Sequence, residues 1–171
     1  MPKEEAAMSI PTKRVLYRFL IFGLMGLLFE VLSGAVIKAW HGNWNMHGSS
    51  SPWMIFDYGL VGLVLMPIAE PLKRRRIPLV VRALVYMVLI YAVEFVSGWL
   101  FDVVGLRIWS YHSFTYNLRG YITAEYAWVW YGLGLVLEFA YRRVDAVALT
   151  LAAGFRASDI ERFVAQEAKG A

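Results

Sequence analysis

Four stretches of this 171-residue chain run almost without charge for about the thickness of a bilayer: residues 15–37, 53–68 (51–72 with flanks), 79–101 and 122–141. A spanning helix needs about 20 mostly apolar residues. Hydrocarbon offers no water to backbone N–H and C=O groups, so such runs must form helices that satisfy those groups internally. A soluble alternative would have to hide four helices of this kind in one very small domain. The chain is 59% hydrophobic, against roughly 45–50% in ordinary soluble domains. The expected fold is therefore all-α, a polytopic bundle of four transmembrane helices.

Charge placement supplies an orientation. Lys3, Lys13, Arg14 and Arg18 precede or open the first run, and Lys73, Arg74, Arg75, Arg76 and Arg82 lie between the second and third. Arg142, Arg143, Arg156, Arg162 and Lys169 follow the fourth, leaving Lys38, Arg107 and Arg119 for the other two loops. This bias predicts cytoplasmic N- and C-termini and two outward-facing long loops. The net charge of +4 thus reads as a topology signal with an affinity for anionic lipid headgroups, and nucleic acid is not an expected partner. Trp40, Trp44, Trp53, Trp99, Trp109 and Tyr121 cluster at the outer ends of the runs, where amphipathic rings favour the headgroup region. The first run is read as a retained span rather than a cleaved signal. Without cysteine, disulfides and thiol chemistry are excluded.

The chain also repeats itself. "RFLIFGLMGLLFEVLSG" returns 64 residues later as "RALVYMVLIYAVEFVSG", placing Arg18 on Arg82, Glu30 on Glu94, Ser33 on Ser97 and Gly34 on Gly98. The loops echo at a shift of 65, "WNMH" against "WSYH", and the following helices at 68, pairing Asp57 with Glu125, Tyr58 with Tyr126, and Glu70 with Glu138. Two tandem hairpins follow, repeat 1 about 15–76 and repeat 2 about 77–143, related by an axis along the membrane normal. Residues 1–14 form a cytoplasmic N-terminus and 144–171 a cytoplasmic amphipathic tail. In that tail Ser158 and Glu161 have capping-box spacing for a short helix.

The carboxylates within the apolar runs carry the functional expectation. Glu30 and Glu94 lie about four residues outward of their helix midpoints, roughly 6 Å from the membrane centre at 1.5 Å per residue. Asp57 and Glu125 sit about one turn below the outer ends of theirs, so the four acids are expected at similar depth, beneath His47 and His112 in the loops. An intramembrane acid usually faces the bundle interior or a water-filled cavity. Glu30 shares a stripe with Gly23, Gly26, Ser33 and Ile37, and Glu94 with Tyr91, Ser97, Gly98 and Phe101. Small residues on such a stripe admit a neighbouring helix. His47 and His112 are weak metal candidates and otherwise exposed loop residues. Glu70 and Glu138, beside "KRRR" and "YRR", read as solvated ion-pair partners. No GxxxxGK[ST], GxGxxG, HExxH or GxSxG motif is present, so nothing calls for a cofactor and ATP hydrolysis by a P-loop is excluded.

With these residues laid out, the chain resembles the putative ABC-transporter type IV (CmpB) family and the related transmembrane protein 229 group. The likeness rests on "FEVLSG", "SPWMIFDYG", "VEFVSG" and "WSYHSFTYNLRGYITAEYAWVW", with Trp109, Tyr111, Asn117, Glu125, Tyr126 and Trp130 in the last. It covers roughly residues 17–143 and implies a polytopic membrane protein and little firm biochemistry; Trp109, Tyr111, Asn117 and Tyr126 join the acids as candidate ligand- or proton-binding residues. The family commonly has Trp-Asp-Tyr-Ser where this chain has Trp109-Ser110-Tyr111-His112, so any role of that Asp falls to His112 or is lost. A fainter similarity is to lycopene-cyclase-type membrane domains. Three readings follow. The first is a small transporter or permease component with Glu30, Asp57, Ser33, Glu94, Ser97, Glu125 and the loop residues around a solute or proton. The second is an intramembrane lipid- or isoprenoid-modifying enzyme using Glu30, Glu94 and Glu125 as acid and base. The third is a membrane scaffold. The lipid bilayer is the expected partner, with a second copy or another membrane subunit.

Overall fold

The computed structural model describes residues 8–170, so Lys3 and most of the N-terminal segment lie outside the described residues. Five helices follow one another: α1 (Ile10–Trp40), α2 (Met54–Arg74), α3 (Leu79–Val103), α4 (Ala127–Ala153) and α5 (Ala157–Gly170). The first three are long and apolar enough to cross a membrane. α1 starts before the expected residue 15, with Pro11 in its first turn, where a missing N–H is tolerated.

Helix ends follow local chemistry. Between α2 and α3 the chain reverses over residues 75–78: Arg76 turns left-handed (φ 55°). There Arg76 N–H donates to Lys73 C=O at 2.9 Å and Ile77 N–H to Leu72 C=O at 3.1 Å. So short a link makes the two helices antiparallel neighbours. α4 does not begin at residue 122 as expected. Ile122–Thr123 is instead strand β2, antiparallel to β1 (Asn117–Leu118), with Asn117 opposite Thr123 and Leu118 opposite Ile122. Arg119 and Gly120 both have positive φ (55° and 72°), and Tyr121 N–H closes their turn onto Leu118 C=O at 3.1 Å. That backbone matches the twist of a hairpin and cannot be continued as helix. A 3-10 turn, Ala124–Tyr126, then leads into α4.

At its far end α4 runs on beyond residue 141 to Ala153, where Gly154 (φ 72°) provides the left-handed residue that ends a helix. In α5 the cap shifts from the expected Ser158–Glu161 pair. Asp159 Oδ2 accepts the Arg156 N–H at 2.9 Å, performing the reciprocal half of a capping box two residues earlier.

α1 packs against α2 and α4, and α3 against α4 and α2, closing a ring of four. A buried cluster of Phe22, Leu65, Ala69, Tyr86, Tyr141 and Val144 fills one half. The α1–α2 contact depends on small residues: a Cβ at Gly26 would lie 2.2 Å from the Tyr58 ring. Outward, Leu24, Leu28, Phe29, Leu32 and Val36 of α1 and Val80, Leu84, Val88 and Val96 of α3 are exposed. Apolar faces this extensive belong against lipid, and the protein is a membrane protein.

Candidate functional site

The bundle has two chemically different ends. At the arginine end, every acid of the bundle has a cation. Glu138 is 4% exposed. It accepts from Arg82 Nε at 2.8 Å and Nη2 at 2.6 Å, from Tyr86 OH at 2.8 Å, and has Lys73 Nζ at 3.4 Å. This corrects the solvated reading of Glu138, whose partner is 56 residues away on α3 rather than beside it. Asp145 receives Arg14 Nε at 2.9 Å and Arg18 Nη1 at 3.2 Å, tying the start of α1 to α4. Glu70 pairs with Arg142 at 3.0 Å and with the Tyr141 hydroxyl at 2.5 Å. It is partly exposed, as expected.

At the long-loop end, three acids from three helices meet only neutral donors. Glu30 Oε2 of α1 accepts from Ser50 Oγ at 2.6 Å and Tyr58 OH at 2.9 Å. Asp57 of α2 is 4% exposed and accepts from Ser97 Oγ. Glu94 of α3 is 6% exposed and accepts from Tyr111 OH at 2.7 Å. Asp57 lies within electrostatic reach of Glu30 and of Glu94, and so links the two glutamates. Among the described residues none of the three makes a salt bridge. Two complementary atoms nearby are buried, Glu94 Oε2 and Trp130 Nε1. The indole N–H faces the Glu94 carboxylate as a hydrogen-bond donor, so the two atoms answer one another.

Each glutamate is thus addressed by its own following loop. A Cβ on Gly48 would stand 1.8 Å from Val31 C=O; only glycine lets the first loop lie on α1 and bring Ser50 to Glu30. In the second loop, Tyr111 N–H donates to Gly120 C=O at 2.8 Å. Gly120 is left-handed, with the His112 ring where a Cβ would stand, 2.0 Å from it. Asn117 builds the turn, donating from Nδ2 to Phe114 C=O at 2.7 Å and accepting Gly120 N–H at 3.0 Å. Trp109 Nε1 donates to Tyr121 C=O at 2.9 Å. Tyr126 packs on Tyr111 with ring centroids 5.6 Å apart and on Trp130 at 6.0 Å. Burial, and then the Glu94 charge, raise Tyr111 far above the usual phenol range. It remains a hydroxyl donor at any physiological pH.

The expected site residues therefore divide. Glu30, Asp57, Glu94, Ser97 and Tyr111 converge. Trp109, Asn117 and Tyr126 position the loop that delivers Tyr111. Ser33 turns its hydroxyl onto Glu30 C=O at 3.0 Å, unlike its counterpart Ser97. Glu125 does not join the cluster: Thr123 Oγ1 and, at 3.0 Å, Tyr116 N–H occupy its oxygens. Those two bonds, the Thr123 hydroxyl first, hold its carboxyl below the usual range. His47 is exposed, and His112 Nδ1 shares a hydrogen bond with Ser110 Oγ at 2.9 Å. Among the described residues no group of three His, Asp or Glu side chains could hold a metal ion. Ser50 and Tyr58 complete the site. Ser50 has no sequence signal, while Tyr58 stood next to Asp57 in a repeated Asp/Glu-Tyr pair.

A family model described as putative ABC-transporter type IV matches residues 17–156. No solved structure matches the chain. With apolar spans, a carboxylate cluster and this match over most of its length, the chain belongs to the putative ABC-transporter type IV family of membrane proteins.

Proposed function

We propose that the chain is a small transporter or permease component of four spans, with cytoplasmic termini, outward-facing long loops and its site at Glu30, Asp57 and Glu94. α4 supplies the fourth span, its Glu138 charge neutralised by Arg82. The observation that carries the reading is the contrast in charge compensation. The bundle has ample arginine, yet three acids on separate helices share one region with hydroxyl donors alone. An ionised acid in hydrocarbon costs about 2.5–3.5 kcal/mol even by the most lenient scale. A chain concerned only with packing has cheaper residues for those positions. Two tandem hairpins, each offering a glutamate, a loop hydroxyl and a neighbouring-helix donor, support a site at the repeat interface. Four helices are too few to surround a hydrated path, so the working unit includes a second copy or a partner membrane subunit.

The test is complementation of a deletion strain by Glu30→Gln/Glu94→Gln, normalised to protein abundance, with topology reporters at His47 and Ser113. The reading expects lost activity at undiminished abundance and reporters on the outer face. Retained activity sinks it, and a loss that merely follows abundance favours a scaffold instead.

A further inference from the structure

We propose that the groove between the last turn of α1 and the first long loop seats one acyl chain of a phospholipid from the leaflet at the long-loop end. The groove lies apart from the three acids and does not depend on the proposed transport function. Gly26 meets the Tyr58 ring early in α2, so about three turns of α1 run past the start of that helix. α1 then closes in a Schellman motif. Left-handed Gly42 (φ 84°) sends its N–H to Ala39 C=O at 2.9 Å, and Asn43 N–H reaches Lys38 C=O at 2.9 Å. The motif turns the chain back over the helix end. Met46 N–H donates to Asn43 C=O at 3.4 Å, and Met46 is itself left-handed (φ 51°), an uncommon state for a residue other than glycine. The result is a groove of about 520 Å³ lined by Val36, Ala39, Trp40, Trp44 and Met46.

The occupant follows from the surface that leads into the groove. Met25, Phe29, Leu32 and Val36 succeed one another at spacings of three and four residues, and each is about half exposed. They form one stripe of α1, part of the face already placed against lipid, and the stripe ends at Trp40. From Met25 to Trp40 it is about 22 Å long, more than the roughly 15 Å that one leaflet contributes to the hydrocarbon core. An acyl chain lying on the stripe therefore enters the groove without leaving apolar surface. Trp40 and Trp44 are 88% and 79% exposed, and such rings favour the boundary where acyl chains join their headgroups. No charged side chain lines the groove. Lys38 is two positions from both Val36 and Trp40, on the opposite side of a helix with 3.6 residues per turn. The groove thus recognises hydrocarbon and is indifferent to the headgroup. A helix from a second copy is a poorer fit. It is about 10–12 Å across and packs through ridges over several turns, whereas here one turn of α1 faces a short loop.

The experiment is photolabelling of the full chain in lipid nanodiscs, with adducts mapped by peptide mass spectrometry. The probe is phosphatidylcholine carrying a diazirine on one acyl chain, and the labelling is repeated with the matching phosphatidylglycerol. A groove surrounds a chain with more van der Waals contacts than a flat face does, so residues 36–46 should carry at least about fivefold more adduct than the face around Val88 of α3. Val88 is 60% exposed and borders no such groove. The enrichment should be the same with either headgroup. Ala39→Phe fills the groove and should lower the label to the level of the Val88 face. Trp44→Ala removes one wall from a side chain that is itself mostly exposed, and should lower the label part of the way. Val88→Phe adds bulk to a lipid-facing helix and should leave the groove's label unchanged. Even labelling of all lipid-facing segments overturns the proposal. So does enrichment that survives both Ala39→Phe and Trp44→Ala, or that needs one headgroup. Cross-links between two copies at Trp40 or Trp44, in place of lipid adducts, would give the groove to a second copy and overturn it as well.

Discussion

The two ends of the bundle treat the same kind of residue in opposite ways. Glu138 is paired with Arg82 and Lys73 and Asp145 with Arg14 and Arg18, whereas Glu30, Asp57 and Glu94 meet hydroxyls. Both arrangements satisfy hydrogen bonds; only the first satisfies charge. The arginine end is therefore a fastener that is complete as it stands. At the long-loop end the acids are hydrogen-bonded to neutral donors and, among the described residues, form no salt bridge. Position in the fold matches this division. The fastener ties helix to helix at the end with the short 75–78 reversal, while the acid cluster sits under two long loops that each send it a donor.

The largest expected effect that would break this comparison is at the fastener. Arg82→Ala leaves Glu138 buried without its bidentate partner, and removing one member of a buried pair typically costs about 3–5 kcal/mol. Thermal or denaturant unfolding in detergent should register it, and a near-neutral result would mean that Glu138 is not held by charge. Next comes Gly26→Ala, which drives a Cβ into the Tyr58 ring. Overpacking of this kind costs about 1–3 kcal/mol, and the same assay reads it. Tyr111→Phe removes one donor from Glu94 and should cost on the order of 1 kcal/mol, read in the same assay.

The smallest effect is at Glu125. Its folded carboxyl is held below the usual range, so its contribution is present above the unfolded value of about 4.3 and is lost as pH falls through the folded value. Trp109 fluorescence in a titration downward from neutral should report loosening of the second loop only in that acidic window. A change near neutral pH would contradict the assignment.

How much of this was legible in the sequence depends on which partners are local. Glu30, Asp57 and Glu94 stood out because charges in apolar runs are rare, and helical spacing put Gly26 on the stripe that α2 approaches. The start of the fourth helix was misplaced because two residues with positive φ, one of them Arg119, turn an apolar-looking segment into a hairpin. That turn also keeps Glu125 out of the cluster that Asp57 joins, although the two stand at matching positions in the sequence. Glu138 was misread because Arg142 and Arg143 follow it in sequence, while its actual partner is set by the α3–α4 contact. Ser50 was invisible for a similar reason: nothing in "GSSS" says which hydroxyl a loop lying on α1 will deliver.

The most direct test of the account is a paired isosteric substitution, Glu138→Gln and Glu94→Gln, unfolded side by side in the same detergent at neutral pH. Glutamine keeps the shape and removes the charge, so only the end that depends on charge should suffer. The account predicts a clear loss of stability for Glu138→Gln, and for Glu94→Gln a change within about 1 kcal/mol or a gain. Equal losses at both positions would mean that the long-loop acids are charged and compensated like the others, and would contradict it.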